Sequence, residues 1–159
     1  MDEKFLKELL DSVKNGEVQT EDAMKRLKKL PYEDMGYVKI DHHRKLRTGK
    51  GEVIYCAGKT PEQTASIFEK LMEYNGRALG TRADLATFEA VKERVPEAKY
   101  FEGARIITAT KGEQQPGVGK IVVATGGTSD LPVAEEAAIT AEFYGNNVIR
   151  LYDVGVAGI

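Results

Sequence analysis

The fold of the C-terminal part of this chain is decided by the stretch TGGTSDLP, residues 125–132. Before it stands the uninterrupted apolar run 121–124 (IVVA), which is typical of a strand buried in a parallel sheet. After it, Pro132 opens a helix that Gly145 ends, and residues 148–152 read as the next strand. The helix is expected to pack through Val133, Ala134, Ala137, Ala138 and Ala141. This order of elements predicts a right-handed strand–helix–strand unit of a doubly wound parallel sheet.

The loop 125–130 has the composition of an anion-binding site. Gly126 and Gly127 let the backbone approach a ligand closely, and free N–H groups at a helix start attract phosphate or carboxylate. Ligands of doubly wound sheets bind at the carboxyl ends of the strands, where this loop lies. The loop has neither the GxGxxG pattern nor the lysine of a P-loop, so neither standard nucleotide fingerprint applies. Two interpretations stay open: the loop binds phosphate, or Ser129 and Asp130 only cap the helix.

A second polar loop, residues 153–158, follows the next strand at the same edge of the predicted sheet. Asp153 could face the first loop and act on a bound ligand, or it could serve only as a turn or helix cap. Both loops lie in an acidic part of the chain, because one basic residue stands against five acidic residues from residue 121 onward. An anionic ligand would therefore need positive charge from elsewhere.

The polar segment around Arg44 and Arg47 can supply that charge, since guanidinium groups fork onto phosphates. The adjacent His42 and His43 diverge in regular structure and have no cysteine nearby, so a structural or substrate role is favoured over metal binding. The single cysteine, Cys56, lies in an apolar strand, which predicts a buried, unreactive thiol rather than a nucleophile.

The rest of the sequence predicts two N-terminal helices followed by a small α/β domain. The helices fall within the first thirty residues, and residues 31–51 show no clear period. A Thr60 capping box predicts a helix that ends near Gly76, and 84–95 is a second helical segment. Strands are expected at 52–57, 77–81, 99–101 and 105–110. Such alternation is typical of an α/β unit with crossover helices.

The glycine-rich stretch 111–119 is the best linker, and it divides the chain into a domain at 1–110 and a unit at 120–159. Two parallel strands and one helix cannot bury a sheet on both faces. Either another chain covers this unit or the natural protein is longer. The apolar loop at its end favours a longer protein, in which 120–159 begin a larger domain.

The composition excludes several classes of protein. The 159 residues include 23 basic and 25 acidic side chains, a net charge of −2, which argues against a nucleic-acid binder that works through a positive field. The fractions of hydrophobic residues (42%) and charged residues (30%) are ordinary for a folded soluble protein. No apolar run is long enough to span a membrane, and one cysteine cannot form an internal disulfide, so a cytoplasmic protein is expected.

Three segments together resemble one family: DHHRKLRTGKGEVIYCAGKTPEQ (41–63), TGGTSDLPVAEEAAITAE (125–142) and LYDVGVAGI (151–159). The resemblance is to the family of LarB, which is the first enzyme of nickel-pincer nucleotide cofactor biosynthesis. It extends over essentially the whole chain. Such proteins have also been labelled circadian phase modifier homologues and AIR carboxylase-like proteins. The fold that the resemblance implies for the C-terminal part is that of AIR carboxylase, PurE, a doubly wound sheet.

The resemblance implies a carboxylase. LarB-like enzymes add CO2 at C5 of the pyridinium ring of nicotinic acid adenine dinucleotide (NaAD) and hydrolyse its phosphoanhydride. The products are pyridinium-3,5-biscarboxylic acid mononucleotide and AMP. The implied partners are this small-molecule dinucleotide and further copies of the chain in an octamer, with no nucleic acid and no membrane. No metal ligands and no tightly bound cofactor are expected; CO2 is the co-substrate, and a role for Mg²⁺ stays open.

The residue patterns and the resemblance together assign the site. Asp130 and Ser129 are expected to be catalytic. The expected substrate-binding residues are Gly126, Gly127, Thr128, Asp153, Gly155, Gly158, Arg44 and Arg47. The cysteine that adds to the pyridinium ring lies in a part of the family beyond these segments, so Cys56 does not match it. The 159-residue chain alone is therefore expected to be inactive.

Two alternatives belong to other classes. One is an AIR-type mutase that acts on a purine intermediate, which would need phosphate binding but no covalent cysteine. The other is a non-catalytic N-terminal domain that serves binding or assembly.

Overall fold

The computed structural model of the chain describes residues 3–28, 33–34, 36, 38–41, 44, 50–112 and 116–155. The contacts divide the chain into two compact units, Met1–Glu52 and Val53–Ile159. The division falls before the segment 111–119, because elements on both sides of that segment pack together in the second unit. Among the described helices, none is long and apolar enough to cross a membrane.

The first unit contains the two predicted helices, α1 (Glu3–Lys14) and α2 (Thr20–Lys28). Leu9 of α1 and Ala23 of α2 are buried. The unit also contains two short strands, β1 (Glu33–Asp34) and β2 (Lys39–Ile40), which pair antiparallel. The sequence pattern did not predict this pair, since strands of two residues are too short to show a period.

The second unit begins with the predicted alternation of strands and helices. Its elements are β3 (Ile54–Tyr55), α3 (Pro61–Asn75), β4 (Arg77–Thr81), α4 (Leu85–Arg94), β5 (Lys99–Phe101), a 3₁₀ turn (Glu102–Ala104) and β6 (Ile106–Thr110). The four strands form one sheet in the order β3-β4-β6-β5. Strands β3 and β4 are parallel, whereas β6 runs antiparallel to both β4 and β5.

Helix α3 begins and ends as the sequence predicts. The Thr60 hydroxyl accepts a hydrogen bond from the Gln63 amide at 3.2 Å, and the Gln63 side chain accepts one from the Thr60 amide at 3.0 Å. Gly76 ends the helix in the left-handed conformation, with a φ of 65°. The buried face of α3 consists of Thr64, Ala65, Ile67, Phe68, Leu71 and Met72.

The predicted strand–helix–strand unit is confirmed. It consists of β7 (Lys120–Ala124), a 3₁₀ turn (Thr128–Asp130), α5 (Leu131–Phe143) and β8 (Asn147–Leu151). Strands β7 and β8 pair in parallel, from Lys120↔Asn147 to Ala124↔Leu151.

Helix α5 packs partly through the expected residues and partly through others. Ile139 lies in a buried cluster with Leu79, Ala104 and Ile106 of the four-stranded sheet region. Ala134 and Ala138 are buried as predicted. Val133 and Ala137, in contrast, are exposed, because α5 contacts both sheets on two of its sides and leaves a third side open.

The expected burial of the strand at 121–124 is wrong for this chain. Ile121 is 40% exposed and Val122 is 57% exposed. Helix α5 covers one face of the two-stranded sheet, whereas the other face exposes Val122, Ile149 and Leu151. This agrees with the argument that two strands and one helix cannot bury both faces.

Candidate functional site

The loops that follow β7 and β8 are joined by hydrogen bonds at the carboxyl edge of their sheet. The Thr125 carbonyl accepts a hydrogen bond from the Val154 amide at 3.0 Å, and the Gly126 carbonyl accepts one from the Gly155 amide at 3.1 Å. The Thr125 hydroxyl accepts a third, from the Asp153 amide, at 3.1 Å. Thr125 is buried and connects the loops, a role that was not predicted from the sequence. Its position directly after an apolar strand was the available signal.

Gly155 is required by the contact between these loops. A Cβ atom at Gly155 would lie 2.2 Å from the Gly126 carbonyl oxygen, which is far inside van der Waals contact. Gly126 and Gly127 differ in this respect, because a Cβ atom at either position would meet its nearest neighbour only at 4.0 Å. The described packing therefore demands glycine at 155 and leaves room for a side chain at 126 and 127.

Asp153 has a left-handed backbone, with a φ of 55°. This conformation is uncommon for residues other than glycine, although aspartate tolerates it better than most. The side chain of Asp153 is exposed, and its amide is held by Thr125 of the neighbouring loop. The structure thus brings Asp153 to the loop that it was predicted to face, and its action on a ligand stays a prediction.

Ser129 and Asp130 lie in the 3₁₀ turn that leads into α5, and both are exposed. Asp130 is the residue before the helix, yet its side chain makes no capping hydrogen bond. Its carboxylate stands at a helix N-terminus, where the dipole favours negative charge. The interpretation that Asp130 only caps the helix therefore has no support in the observed hydrogen bonds.

Strand β8 is held to α5 by one network of charged groups. Arg150 contacts Glu135 at 3.1 Å and also Glu142, both on α5, and the Tyr152 hydroxyl donates to Glu135 at 2.9 Å. Partial burial alone would raise the pKa of Glu135, but the hydrogen bonds from Arg150 and Tyr152 outweigh it and lower the pKa. The network fixes the end of β8, and with it the start of the second loop.

The structure does not test the roles of the remaining predicted residues. Arg44 is an exposed residue of the first unit. Arg47, Gly158, His42 and His43 lie outside the described residues. Their predicted roles stay predictions.

Cys56 has the character that the sequence predicted. It is 4% exposed, and its Sγ donates to the Ile54 carbonyl oxygen at 3.8 Å. Burial raises the pKa of the Cys56 thiol to about 11, although nearby Lys59 partly offsets this effect. A thiol with so high a pKa supplies little thiolate near neutral pH.

Two arginines at the carboxyl edge of β4 were not predicted as site residues. Arg82 and Arg105 have left-handed backbones, with φ values of 58° and 54°. The Nε atom of Arg105 donates to the Ala83 carbonyl oxygen at 3.2 Å, and the Nε atom of Arg82 lies 3.1 Å from a carboxylate oxygen of Glu136 on α5. No local sequence pattern distinguishes them from solvent-exposed basic residues.

Residues 32–111, half of the chain, match the family model of the LarB/PurE-like N-terminal domain. The chain belongs to the LarB family. The matched region of this LarB-family chain includes the four-stranded sheet with both of its helices and stops at the start of segment 111–119.

A curated relative of this LarB-family chain is the uncharacterized protein MJ0165 of Methanocaldococcus jannaschii. The two sequences are 36% identical over 165 positions, which cover 98% of this chain and 64% of that protein. The chain thus spans less than two thirds of the length of this relative.

Proposed function

We propose that this chain belongs to a pyridinium-3,5-biscarboxylic acid mononucleotide synthase of the LarB type. Such an enzyme carboxylates NaAD at C5 with CO2 and hydrolyses the phosphoanhydride, which releases AMP. In this proposal the loops at 125–130 and 153–155 bind the pyridinium mononucleotide half of the substrate. The observation that carries it is the joining of these two glycine-containing loops at the N-terminus of α5.

The glycines of the first loop support ligand binding. Gly155 is explained by the fit between the loops, whereas the described packing leaves space beside Gly126 and Gly127. Glycine at such positions lets a phosphate approach the backbone closely. The amides at the start of α5 then add donors for the phosphate oxygens.

The exposed carboxylate of Asp130 gives the proposed site an acid–base group. Carboxylation replaces the hydrogen at C5 with a carboxylate, so a base must accept the proton that leaves the ring. Asp130 is exposed beside the loop and is not engaged in capping α5. The hydroxyl of Ser129 can donate to the oxygens of CO2 as negative charge develops on them.

The nucleophile of this chemistry does not come from Cys56. Addition of a thiolate to the cationic ring gives an enamine-like carbon that can attack CO2, and loss of the C5 proton then expels the thiolate and restores the aromatic ring. Cys56 is buried and its pKa is raised to about 11, so it cannot take this role. We therefore expect the 159-residue chain to bind the pyridinium mononucleotide and to form no product by itself.

The binding half of this proposal is tested with nicotinic acid mononucleotide. Isothermal titration should detect binding to the wild-type chain, and Gly127→Ala should weaken it about tenfold or more, as expected when a phosphate loses close contacts with backbone donors. The melting temperature of this variant should equal that of the wild type, because the added Cβ meets no atom closer than 4.0 Å. Unchanged affinity in the variant would contradict the proposed phosphate site.

The catalytic half is tested by mass spectrometry after incubation of the chain with NaAD and bicarbonate. We expect neither biscarboxylated mononucleotide nor AMP above the buffer control. Product formation by this chain would show that the reaction needs no further thiol. If an aminoimidazole ribonucleotide displaced nicotinic acid mononucleotide and bound more tightly, the AIR-type alternative would replace this proposal.

A further inference from the structure

We propose that the carboxyl edge of β3 and β4 binds the adenylate half of the dinucleotide, with Arg82 on its phosphate and Tyr55 against its base. This inference rests on the proposed function, in which the loops after β7 and β8 hold the pyridinium half. It assigns a ligand to a cluster of residues that the proposed reaction does not otherwise use.

The direction of α5 brings the two sets of loops to one side of the second unit. The Arg77 guanidinium, at the start of β4, lies 4.2 Å from the centre of the Phe143 ring and donates to the Phe143 carbonyl, at the end of α5. Arg82, just after β4, contacts Glu136 in the first half of α5. Helix α5 therefore runs antiparallel to β4. Since its N-terminus also follows the carboxyl end of β7, both parallel strand pairs end on this side.

The residues with strained backbones in the described part of the chain also lie on this side of the second unit. Only Arg82, Arg105 and Asp153 have a positive φ among the described residues other than glycine. Arg82 follows β4, Arg105 precedes the antiparallel β6, and Asp153 follows β8, so all three lie on this side of the second unit. Non-glycine residues held in the left-handed region cluster at ligand-binding sites.

The guanidinium of Arg82 is available to a ligand. Among the described contacts, its Nε atom faces Glu136 at 3.1 Å and its terminal nitrogens have no hydrogen-bond partner, while the side chain is 45% exposed. Arg105, in contrast, uses its guanidinium to hold the carbonyls of Ala83 and Arg82. Arg105 thus fixes the corner from which Arg82 extends, and a phosphate can take the open side of the Arg82 fork.

Tyr55 supplies a flat aromatic surface on the same face. It pairs with Thr81 in the parallel register of β3 and β4. Thr81 shares its face of the sheet with Leu79, which packs against Ile139 of α5. Tyr55 therefore lies on the α5 side at the carboxyl end of the edge strand, and it is 59% exposed. An exposed aromatic ring is a stacking surface for a nucleobase.

Helix α5 links the two regions. Glu136 lies five residues beyond the first residue of α5, so its backbone is about 7.5 Å along the helix axis from the loop. The carboxylated ring must lie near Asp130 in the proposed reaction. The released adenylate is the other half, and the proposal assigns it to the Arg82 and Tyr55 edge.

The experiment measures the affinity of the full chain for AMP, nicotinic acid mononucleotide and NaAD by isothermal titration. Arg82→Gln should weaken AMP and NaAD binding about tenfold, as expected for loss of a charge-assisted contact, and should leave mononucleotide binding unchanged. Tyr55→Leu should weaken the same two ligands about fivefold or more through lost stacking, whereas Tyr55→Phe should bind like the wild type.

Glu136→Gln is the matched control, because it removes the same ion pair and keeps the guanidinium. If Arg82 binds the ligand directly, this variant binds AMP as tightly as the wild type or more tightly. If Arg82 acts only by fixing α5, both variants weaken binding alike, and the inference is overturned. Lys99→Gln, at an exposed position in β5, controls for the general loss of one positive charge.

The outcomes separate this inference from the proposed function. AMP affinities within twofold of wild type in both Arg82→Gln and Tyr55→Leu would overturn the adenylate site, as would absence of AMP binding by the wild type. Absence of nicotinic acid mononucleotide binding, with AMP bound through Arg82, would overturn the proposed function and leave an adenylate site.

Discussion

Replacing Gly155 with alanine should separate the two loops of the candidate site. The new Cβ atom would lie 2.2 Å from the Gly126 carbonyl oxygen and 2.7 Å from the Gly126 Cα atom. These are backbone atoms, so no side-chain rotation relieves the contact. The loops must instead move apart by about 1 Å to reach ordinary packing distances.

The cost follows from the hydrogen bonds that such a movement breaks. The Gly155 amide to Gly126 carbonyl bond is 3.1 Å long, and the neighbouring Val154 to Thr125 bond is 3.0 Å long. With about 0.5–1.5 kcal/mol for each, Gly155→Ala should destabilise the chain by about 1–3 kcal/mol. In a chain of this size each kcal/mol lowers the melting temperature by roughly 2–4 °C.

Three measurements test this estimate: thermal unfolding by circular dichroism, amide hydrogen exchange at Val154 and Gly155, and titration with nicotinic acid mononucleotide. The variant should show a lower melting temperature, faster exchange at both amides and weaker binding. Gly103→Ala is the control, because a Cβ at Gly103 would meet no atom within 4 Å. If Gly155→Ala matched Gly103→Ala in all three measurements, the fit between the loops would not limit the residue at 155.

Other predictions concern the elements that support the site. Ile139→Ala should cost about 2–5 kcal/mol by chemical denaturation, because Ile139 is buried between α5 and the four-stranded sheet, whereas Val133→Ala on the exposed side should cost less than about 0.5 kcal/mol. Arg150→Met should cost about 1 kcal/mol, since its ion pairs are about a third exposed, and 1 M salt should reduce the difference from wild type. With its pKa raised from 9.0 to about 11, the folded Cys56 thiol should react with Ellman's reagent at pH 8 about a hundredfold more slowly than the urea-unfolded chain. As pH rises from 9 to 11, the unfolded thiol loses its proton before the folded one, which stabilises the unfolded state. The free energy of unfolding of wild type should therefore fall across this window relative to that of Cys56→Ala. Equal pH profiles of the two proteins would contradict the burial argument.

The elements of the fold that follow from local chemistry could be predicted from the sequence. The Thr60 capping box and Gly76 set the bounds of α3, and the apolar run before TGGTSDLP set β7. Such signals involve only neighbouring residues, so they do not depend on how the rest of the chain folds. The burial of β7 was misjudged because it depends on what covers the second face of its sheet, which the run itself cannot specify.

The candidate site was predictable only in part, for a related reason. The loops at 125–130 and 153–155 could be placed together because parallel strands end at one edge of a sheet. The proposed adenylate site could not be placed from the sequence, because it depends on the direction in which α5 crosses β4. That direction is set by contacts between distant segments, Arg77 with Phe143 and Leu79 with Ile139. No sequence pattern within either segment predicts these contacts.

Helix α5 therefore has two functions that its sequence alone does not distinguish. Its first turn continues the loop after β7, and its flank is fixed by Ile139 and Glu136 against the family-matched region of the chain. The positions of Asp130 and Arg82 relative to each other are then determined by a single rigid helix. A dinucleotide that contacts both ends of this arrangement gains binding energy from two separate sheets, and each half can be tested alone with its own mononucleotide.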